Sequence, residues 1–511
     1  MQVIDWLARH SLYEPDKLAL VEVATGRRFT YQGFNQQANR VANFLESLGV
    51  KPGERVAILA PNCADILFIL FGATKLGAIL VPLNFRLAAP ELLPIIHDAQ
   101  PSILIYSEEC SPTLESLRPK LQIARTVKLD GQPASGDLAF ASEIAQQPSH
   151  RDKDIPVDMA APQMLLYTSG TTGKPKGVIL PHRMSVWNSI NFALRDLLPT
   201  DVVLVHTPMF YTGGLNVYTL PILFLGGTAV LMRAWNANEA LQVIESARVT
   251  VFFAVPTQFL MMADSSFFEK VDLRSLRWVI SGGAPCPIPL IERLVKRGLT
   301  FKQGFGLTEV GPNCFCLEPR DALRKAGSIG FPNFAVRARI VDADGHDLGP
   351  DEVGELILST PAMCNGYWNN PEATKAAIRQ GWFYTGDLAT RDAEGYYYIV
   401  DRKKDMYISG GENVYPVEVE QVVVEHPKVA EVAVVGVPHP KWGEVGCAAV
   451  VLCAGAQGTE EEIIGYCRGK LAKFKIPKSV VFLKELPRTH SGKVQKQDLK
   501  RQLLSGLPPS D

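Results

Sequence analysis

The chain has 511 residues, 47% of them apolar and 21% charged, and a formal net charge of -1 at pH 7. That length exceeds what one hydrophobic core organises, so several domains are expected, and the near-neutral charge removes the electrostatic case for nucleic-acid binding. The nine cysteines, scattered from Cys63 to Cys467 without a CxxC pair, read as reduced thiols of a cytoplasmic protein; Cys314 and Cys316, the one close pair, lack the neighbours of a metal site.

The opening MQVIDWLARH carries charges early and has none of the apolar run of a secretory signal. From Arg55 the pattern alternates apolar and amphipathic runs: RVAILA, ADILFILFGATKLG, AILVPL, AAPELLPIIHDAQ and SILIY. These predict strand, helix, strand, helix, strand, with strands buried on both faces and helices crossing over a parallel sheet. A second series of this kind runs from DVVLVHTPM through TAVLM, ANEALQVIESA, VTVFFA, LRWVISGGAP and IPLIERLVKRG to LTFKQG. Within it, Thr207 to Met232 is uncharged and long enough to raise the question of membrane insertion. Pro208, Asn216, Pro221 and the glycines between them argue instead for a loop, a buried helix and a core strand, so no membrane span is expected.

After Gly330 the grammar changes to short alternating strands, with a hairpin predicted around Asp344 and Gly345. Beyond Asp401, in the charged run DRKKD, come a helix in PVEVEQVVVEH, strands at EVAVVGV and CAAVVL, a helix in EEIIGYCRGKLAKF and a strand at SVVFLKEL. The expected class is α/β: a large N-terminal region of two doubly wound α/β subdomains plus a small β-barrel-like subdomain, followed by a small α+β C-terminal domain. The boundary is placed between residues 1–400 and 401–511.

Between the two α/β series lies YTSGTTGKPKGV, Tyr167 to Val178. Its glycines let backbone N–H groups approach an anion, its hydroxyls add donors, and Lys174 and Lys176 add charge. It is not a Walker loop, because Gly170 and Gly173 are two residues apart and Pro175 follows Lys174. Four further segments are rich in nucleotide-binding groups and fall at predicted strand ends, where ligands of parallel sheets bind. SGGAP, Ser281 to Pro285, offers bare backbone to a flat base, although alone it is simply a turn. QGFGLTE, Gln303 to Glu309, mimics a dinucleotide fingerprint but puts Glu309 where the third glycine belongs, and a carboxylate beside phosphate suits a Mg²⁺ site. YTGD, Tyr384 to Asp387, followed by Arg402, suits ribose hydroxyls as well as it suits a turn cap. PRTHSGKVQK, Pro487 to Lys496, contains Lys493, which in isolation reads as a solvated charge.

In this order and spacing the segments, with DRKKDMYISGGENVYPVEVE, resemble the adenylate-forming superfamily of acyl-CoA synthetases, nonribosomal adenylation domains and firefly-type luciferases, from about Ser11 to Leu499. The resemblance implies two steps: a carboxylic acid attacks the α-phosphate of ATP, releasing pyrophosphate, and the thiol of coenzyme A then displaces AMP. Lys493 matches the catalytic lysine, and Thr168 and Glu309 the Mg²⁺ ligands. Ser169, Gly170, Thr171, Thr172, Gly173, Lys174 and Lys176 match the triphosphate loop. Gly283, Ala284 and Pro285, with Gly304, Phe305, Gly306, Leu307 and Thr308, match the adenine and α-phosphate wall, and Asp387 and Arg402 the ribose contacts. Asp401 matches the hinge of a mobile C-terminal domain, and Ser409, Gly410 and Gly411 a pantetheine tunnel. Asp401 and SGGENVYPVEVE favour a CoA synthetase over a luciferase.

One departure is Tyr211, in PMFYTGGL, where many relatives carry histidine at the tunnel mouth; His206, five residues upstream, is expected to be structural. The acyl-pocket positions correspond to Tyr211, Gly213, Val217, Gly306, Pro312 and Asn313. Glycines there, with Gly214, are expected to leave room for a long or flat acid. The expected acid is a medium- or long-chain fatty acid, since Val217 and Phe210 keep the surroundings apolar; the alternative, which a hydrogen bond from Asn313 would favour, is an aryl acid of hydroxycinnamate or benzoate type. An adenylation enzyme loading a carrier protein in trans is the other alternative. Partners are the small acid, ATP and CoA; the oligomeric state stays open, with a homodimer as one candidate.

Overall fold

The computed structural model describes residues 1–151, 155–168, 175–403, 405–409, 412–488 and 494–505. Its packing separates a larger unit, Met1–Ala338 with Leu358–Phe383, from a smaller one, Arg339–Ile357 with Tyr384–Asp511.

The larger unit contains two sheets. In the first, strand Arg55–Leu59 lies between Ile79–Leu83 and Ile103–Tyr106, all parallel, and Pro162–Thr168 extends the sheet beside Ile79–Leu83. Every residue of Ile79–Leu83 and Ile103–Tyr106 is buried, as the unbroken apolar runs require of strands covered on both faces. Strand Lys176–Pro181 returns antiparallel to Pro162–Thr168, with Thr168 opposite Lys176.

In the second sheet Thr228–Leu231, Val202–Val205, Val251–Ala254, Trp278–Ser281 and Phe301–Leu307 run parallel in that order. Strand Leu18–Glu22 adds itself parallel to Thr228–Leu231, a pairing across some two hundred residues of sequence for which no local pattern exists. Phe301–Leu307 then turns back antiparallel into Gly311–Leu317. Gly304 to Leu307 therefore lie inside a strand rather than beyond its end, and Thr308 and Glu309 occupy the turn.

In the smaller unit Tyr397–Arg402 runs antiparallel to residues 387–391, and the predicted hairpin closes with Val341 opposite Asp347. A separate sheet pairs Val429–His439 with Gly443–Leu452, and Tyr407–Ser409 and Ser479–Phe482 flank Gly443–Leu452. Val419, Val423 and Ile463, from helices Pro416–Val424 and Glu460–Cys467, pack with Val434 and Ala448 into one core, and Leu499 of helix Lys496–Ser505 packs with Ala433 and Ala449 into another. The helix expected through EEIIGYCRGKLAKF stops at Cys467, just before Gly469 takes φ +77°, a left-handed value that ends helices. Among the described residues, no helix is long and apolar enough to cross a membrane.

Candidate active site

The larger unit holds two of the predicted nucleotide segments, SGGAP and QGFGLTE. Ser281 and Gln303 are partners in parallel strands, so the SGGAP turn and the GFGLTE strand lie side by side. Gly283 takes φ +82°, a conformation open to glycine at little cost, and Gly283, Ala284 and Pro285 are exposed. The turn after Leu307 carries Glu309, whose carbonyl oxygen accepts from the Cys364 N–H at 2.7 Å. Its carboxylate Oε1 accepts from the Tyr367 hydroxyl at 3.0 Å, and Lys176 Nζ lies 5.3 Å from the centre of the Tyr367 ring.

Tyr367 thus stands between two predicted nucleotide-site residues, with its backbone bridged to Val178 on the strand that holds Lys176. Sequence reasoning passed over it, because a tyrosine in a loop carries no signal of its own; the polar run NGYWNN was the only cue. Burial and the neighbouring Glu309 push its phenol far above the ordinary range, so it stays a donor to that carboxylate. A second tie holds the loop's other flank: the Tyr167 hydroxyl donates to Asp98 Oδ2 at 2.6 Å, and the Asp98 carbonyl accepts from Trp368 Nε1. Ser169, Gly170, Thr171, Thr172, Gly173, Lys174, Gly410, Gly411 and Lys493 lie outside the described residues.

Around the predicted acyl pocket two expectations change. Gly214 and Gly306 do not open space: a Cβ on Gly214 would stand 2.2 Å from the Pro208 carbonyl oxygen, and one on Gly306 would stand 2.3 Å from the Pro312 carbonyl carbon. Both glycines let two backbone segments touch, while a Cβ on Gly213 would meet only Thr207 Cγ2 at 3.2 Å and Phe253 at 3.9 Å; the void that Gly213 and Gly214 both line is about 10 Å³, room for a single water. Asn313 does not hold its amide out to a ligand either. It is buried, and its Nδ2 donates to the carbonyls of Asn216 and Val217 at 3.3 and 3.2 Å.

Tyr211 receives Asn84 Nδ2 on its hydroxyl at 3.4 Å and packs its ring 4.4 Å from that of Phe210. His206 sits one residue past strand Val202–Val205 and is structural, as expected: its Nε2 donates to the Phe253 carbonyl at 2.7 Å, and burial lowers its pKa to about 4. An imidazole held neutral this way packs on Trp235 and Phe252.

In the smaller unit Asp387 and Arg402 are cross-strand partners joined by an ion pair of 3.3 Å, with the Asp387 carboxylate almost wholly buried. The two predicted ribose residues thus arrive as one unit, which orients the carboxylate. Asp401 lies next to the end of its strand and is buried; its carboxylate accepts from the N–H groups of Arg402 at 2.7 Å and Val417 at 3.0 Å. Burial raises its pKa, opposed by the charge of Lys496, whose Nζ is 2.8 Å from Glu420. Ser409 is buried in its strand, opposite Glu412 and Gly443.

The exposed glycine turn after Ser281 thus lies beside the strand that leads to Glu309, at the end of a parallel α/β sheet, where enzymes of this architecture bind ligands. A model of the AMP-binding enzyme family matches residues 7–368, and one of the AMP-binding enzyme C-terminal domain matches residues 418–493. Feruloyl-CoA synthase of an Amycolatopsis species is 40% identical over 497 residues, 97% of this chain and 98% of that protein. Long-chain-fatty-acid–CoA ligase FadD13 of Mycobacterium tuberculosis is 38% identical over 522 residues, 99% of this chain and 100% of that one. The crystal structure of the anthranilate CoA ligase AuaEII in complex with anthranoyl-AMP superposes with a TM-score of 0.91 at 30% identity, covering 99% of this chain and 98% of that one. The chain belongs to the AMP-binding enzyme family, on the acid–CoA ligase branch of the adenylate-forming superfamily, and is an AMP-forming acid–thiol ligase.

Proposed function

We propose that this ligase activates an aryl carboxylic acid. The observation that carries the reading is the aromatic surface around Gly213 and Tyr211, where Phe253 would stand 3.9 Å from a Cβ on Gly213 and the Tyr211 ring packs 4.4 Å from that of Phe210: flat rings stack and pack edge-on against such side chains at low entropic cost. The feruloyl-CoA synthase and anthranilate CoA ligase relatives support it. A fatty acid, expected from Val217 and Phe210, is the second reading, favoured by the likeness to FadD13.

In the first step the acid's carboxylate oxygen attacks the α-phosphorus and pyrophosphate leaves; in the second the CoA sulfur attacks the acyl carbonyl, its proton is lost and AMP leaves. No protein nucleophile is needed, because the substrate carboxylate is one, and the obstacle is bringing an anion to a polyanion. Lys493 supplies the compensating charge, worth about 4 kcal/mol at about 4 Å and an effective dielectric of about 20. Gly283 to Pro285 and Gly304 to Thr308 wall the adenine and α-phosphate, residues 169–174 and Lys176 hold the triphosphate, and Asp387 with Arg402 holds the ribose. Asp401 is the hinge, and Ser409 to Gly411 line the pantetheine path.

The Thr168 hydroxyl, at the end of its strand, and the Glu309 carboxylate, in the turn after Leu307, are hard oxygen donors of the kind that fits Mg²⁺. Such an ion, when bound, offsets charge on the phosphates. Nine unpaired thiols suit a cytoplasmic setting. The test is AMP release with CoA across acids from acetate to palmitate, with benzoate and ferulate included. Turnover of the aromatic acids is expected; turnover of palmitate with neither aromatic acid accepted would sink the aryl reading.

A further inference from the structure

Strands Pro162–Thr168 and Lys176–Pro181 end on Thr168 and Lys176, and one pair further in Tyr167 stands opposite Gly177. The Tyr167 ring lies over that glycine: a Cβ on Gly177 would stand 3.0 Å from Tyr167 Cζ. Beyond the ring the hydroxyl donates to Asp98 Oδ2 at 2.6 Å. The second strand is tied to the same aspartate by another route. The Trp368 N–H donates to the Gly177 carbonyl at 2.7 Å, and Trp368 Nε1 donates to the Asp98 carbonyl at 3.1 Å. Asn369 Nδ2 adds bonds to that carbonyl at 3.1 Å and to Asp98 Oδ1 at 3.3 Å.

Asp98 lies in the last turn of helix Ala89–Ala99, where a carboxylate faces the negative end of the helix dipole. Its side-chain partners, the Tyr167 phenol and the Asn369 amide, are uncharged. Arg55 spends Nε and Nη2 on the carbonyls of Ala99 and Gln100, each at 2.7 Å, and stacks 5.6 Å from the centre of the Trp368 ring. The helix itself gains nothing from an acid at this position, so what the carboxylate contributes is the hold on its two partners. A chain segment whose ends are already fixed has less freedom to lose when a ligand binds, and affinity rises without any new contact.

We infer that Asp98 is a positioning residue for the nucleoside triphosphate. Through Tyr167 on one strand, and through Trp368 and Asn369 on the other, it fixes Thr168 and Lys176, the two ends between which the phosphate-binding segment runs. This rests on the reading of residues 169–174 and Lys176 as the triphosphate site. AMP carries no phosphate beyond the α position, so its binding is independent of the tie.

The test is calorimetric titration with ATP and with AMP, both with Mg²⁺ and without acid, of the wild type, Asp98→Ala, Tyr167→Phe and Lys176→Met. Asp98→Ala and Tyr167→Phe are each expected to raise the Kd for ATP by about tenfold, the cost of ordering one or two side chains on binding, and to leave the Kd for AMP unmoved. Alanine suits a helix and removes the acid from the dipole's negative end, so Asp98→Ala is expected to melt close to the wild type. Should it melt well below, Tyr167→Phe, which keeps the ring over Gly177, decides by the same ratio. An ATP affinity unchanged in both variants, or ATP and AMP weakened equally, overturns the role of Asp98. If Lys176→Met weakens ATP while the other two do not, the triphosphate reading stands and this inference alone falls; if ATP is indifferent to Lys176→Met as well, that reading falls with it.

Discussion

At the scale of single residues, the tyrosine that binds Glu309 is the addition the structure makes. Tyr367 holds one oxygen of the carboxylate proposed to carry the metal, and outer partners of this kind orient a ligand. Glu309→Gln is expected to raise the Mg²⁺ concentration needed for acid-dependent pyrophosphate exchange, and Tyr367→Phe to raise it by about tenfold. A metal titration unmoved by either change removes Glu309 from the site. Two buried histidines contribute to the loss of stability in acid. His182 and His206 are buried with pKa values lowered to about 4, against 6.5 in an exposed chain. Between those values the unfolded chain binds more protons, so stability falls as pH drops from about 6.5 to about 4, by on the order of 3 kcal/mol for each histidine. Denaturant unfolding at pH 6.5 and 4.5 should show His206→Gln losing less between the two than the wild type does.

At the scale of elements, the segment from Pro208 to Val217 is shaped by backbone contact. Gly214→Ala would drive a methyl group into the Pro208 carbonyl, where neither side is a flexible tip. A loss of 1–3 kcal/mol or more is expected, read as a lowered melting temperature. Gly213→Ala, which meets only side-chain atoms, should melt close to the wild type and act instead on the KM for the acid. Equal melting temperatures for the two variants would mean that the segment yields where the packing says it cannot. Asn188 explains why the neighbouring strand follows: its Nδ2 donates to the Asn216 carbonyl at 2.5 Å and its Oδ1 accepts from the Asn313 N–H at 3.3 Å, tying loop and strand to helix His182–Ala193.

At the scale of the whole molecule, the proposed reaction needs two arrangements of one active site, one delivering Lys493 and one admitting the thiol. Lys493→Ala is expected to abolish adenylation, by 10²-fold or more as for a lost transition-state contact, while still converting supplied acyl-AMP to acyl-CoA. Asp401→Pro should do the reverse. Because Asp401 also binds the Val417 N–H, Asp401→Asn, which keeps an acceptor there, separates the loss of that bond from the loss of backbone rotation. Equal damage to both half-reactions in Lys493→Ala would contradict the alternation.

The sequence by itself determined the two parallel α/β series and the family, because those signals are local: unbroken apolar runs, breaker residues and motifs at fixed spacing. His206 was also legible as structural, since a histidine following a core strand is most simply a buried one. Only the tertiary structure decided that Leu18–Glu22 joins the second sheet, that Gly214 and Gly306 serve backbone contact, that Asn313 spends its amide on two carbonyls, and that Tyr367 hydrogen-bonds Glu309. Each of those depends on which distant segment lies opposite, and the free energy of such pairings belongs to contacts between residues far apart in the chain, where no window of sequence contains both partners.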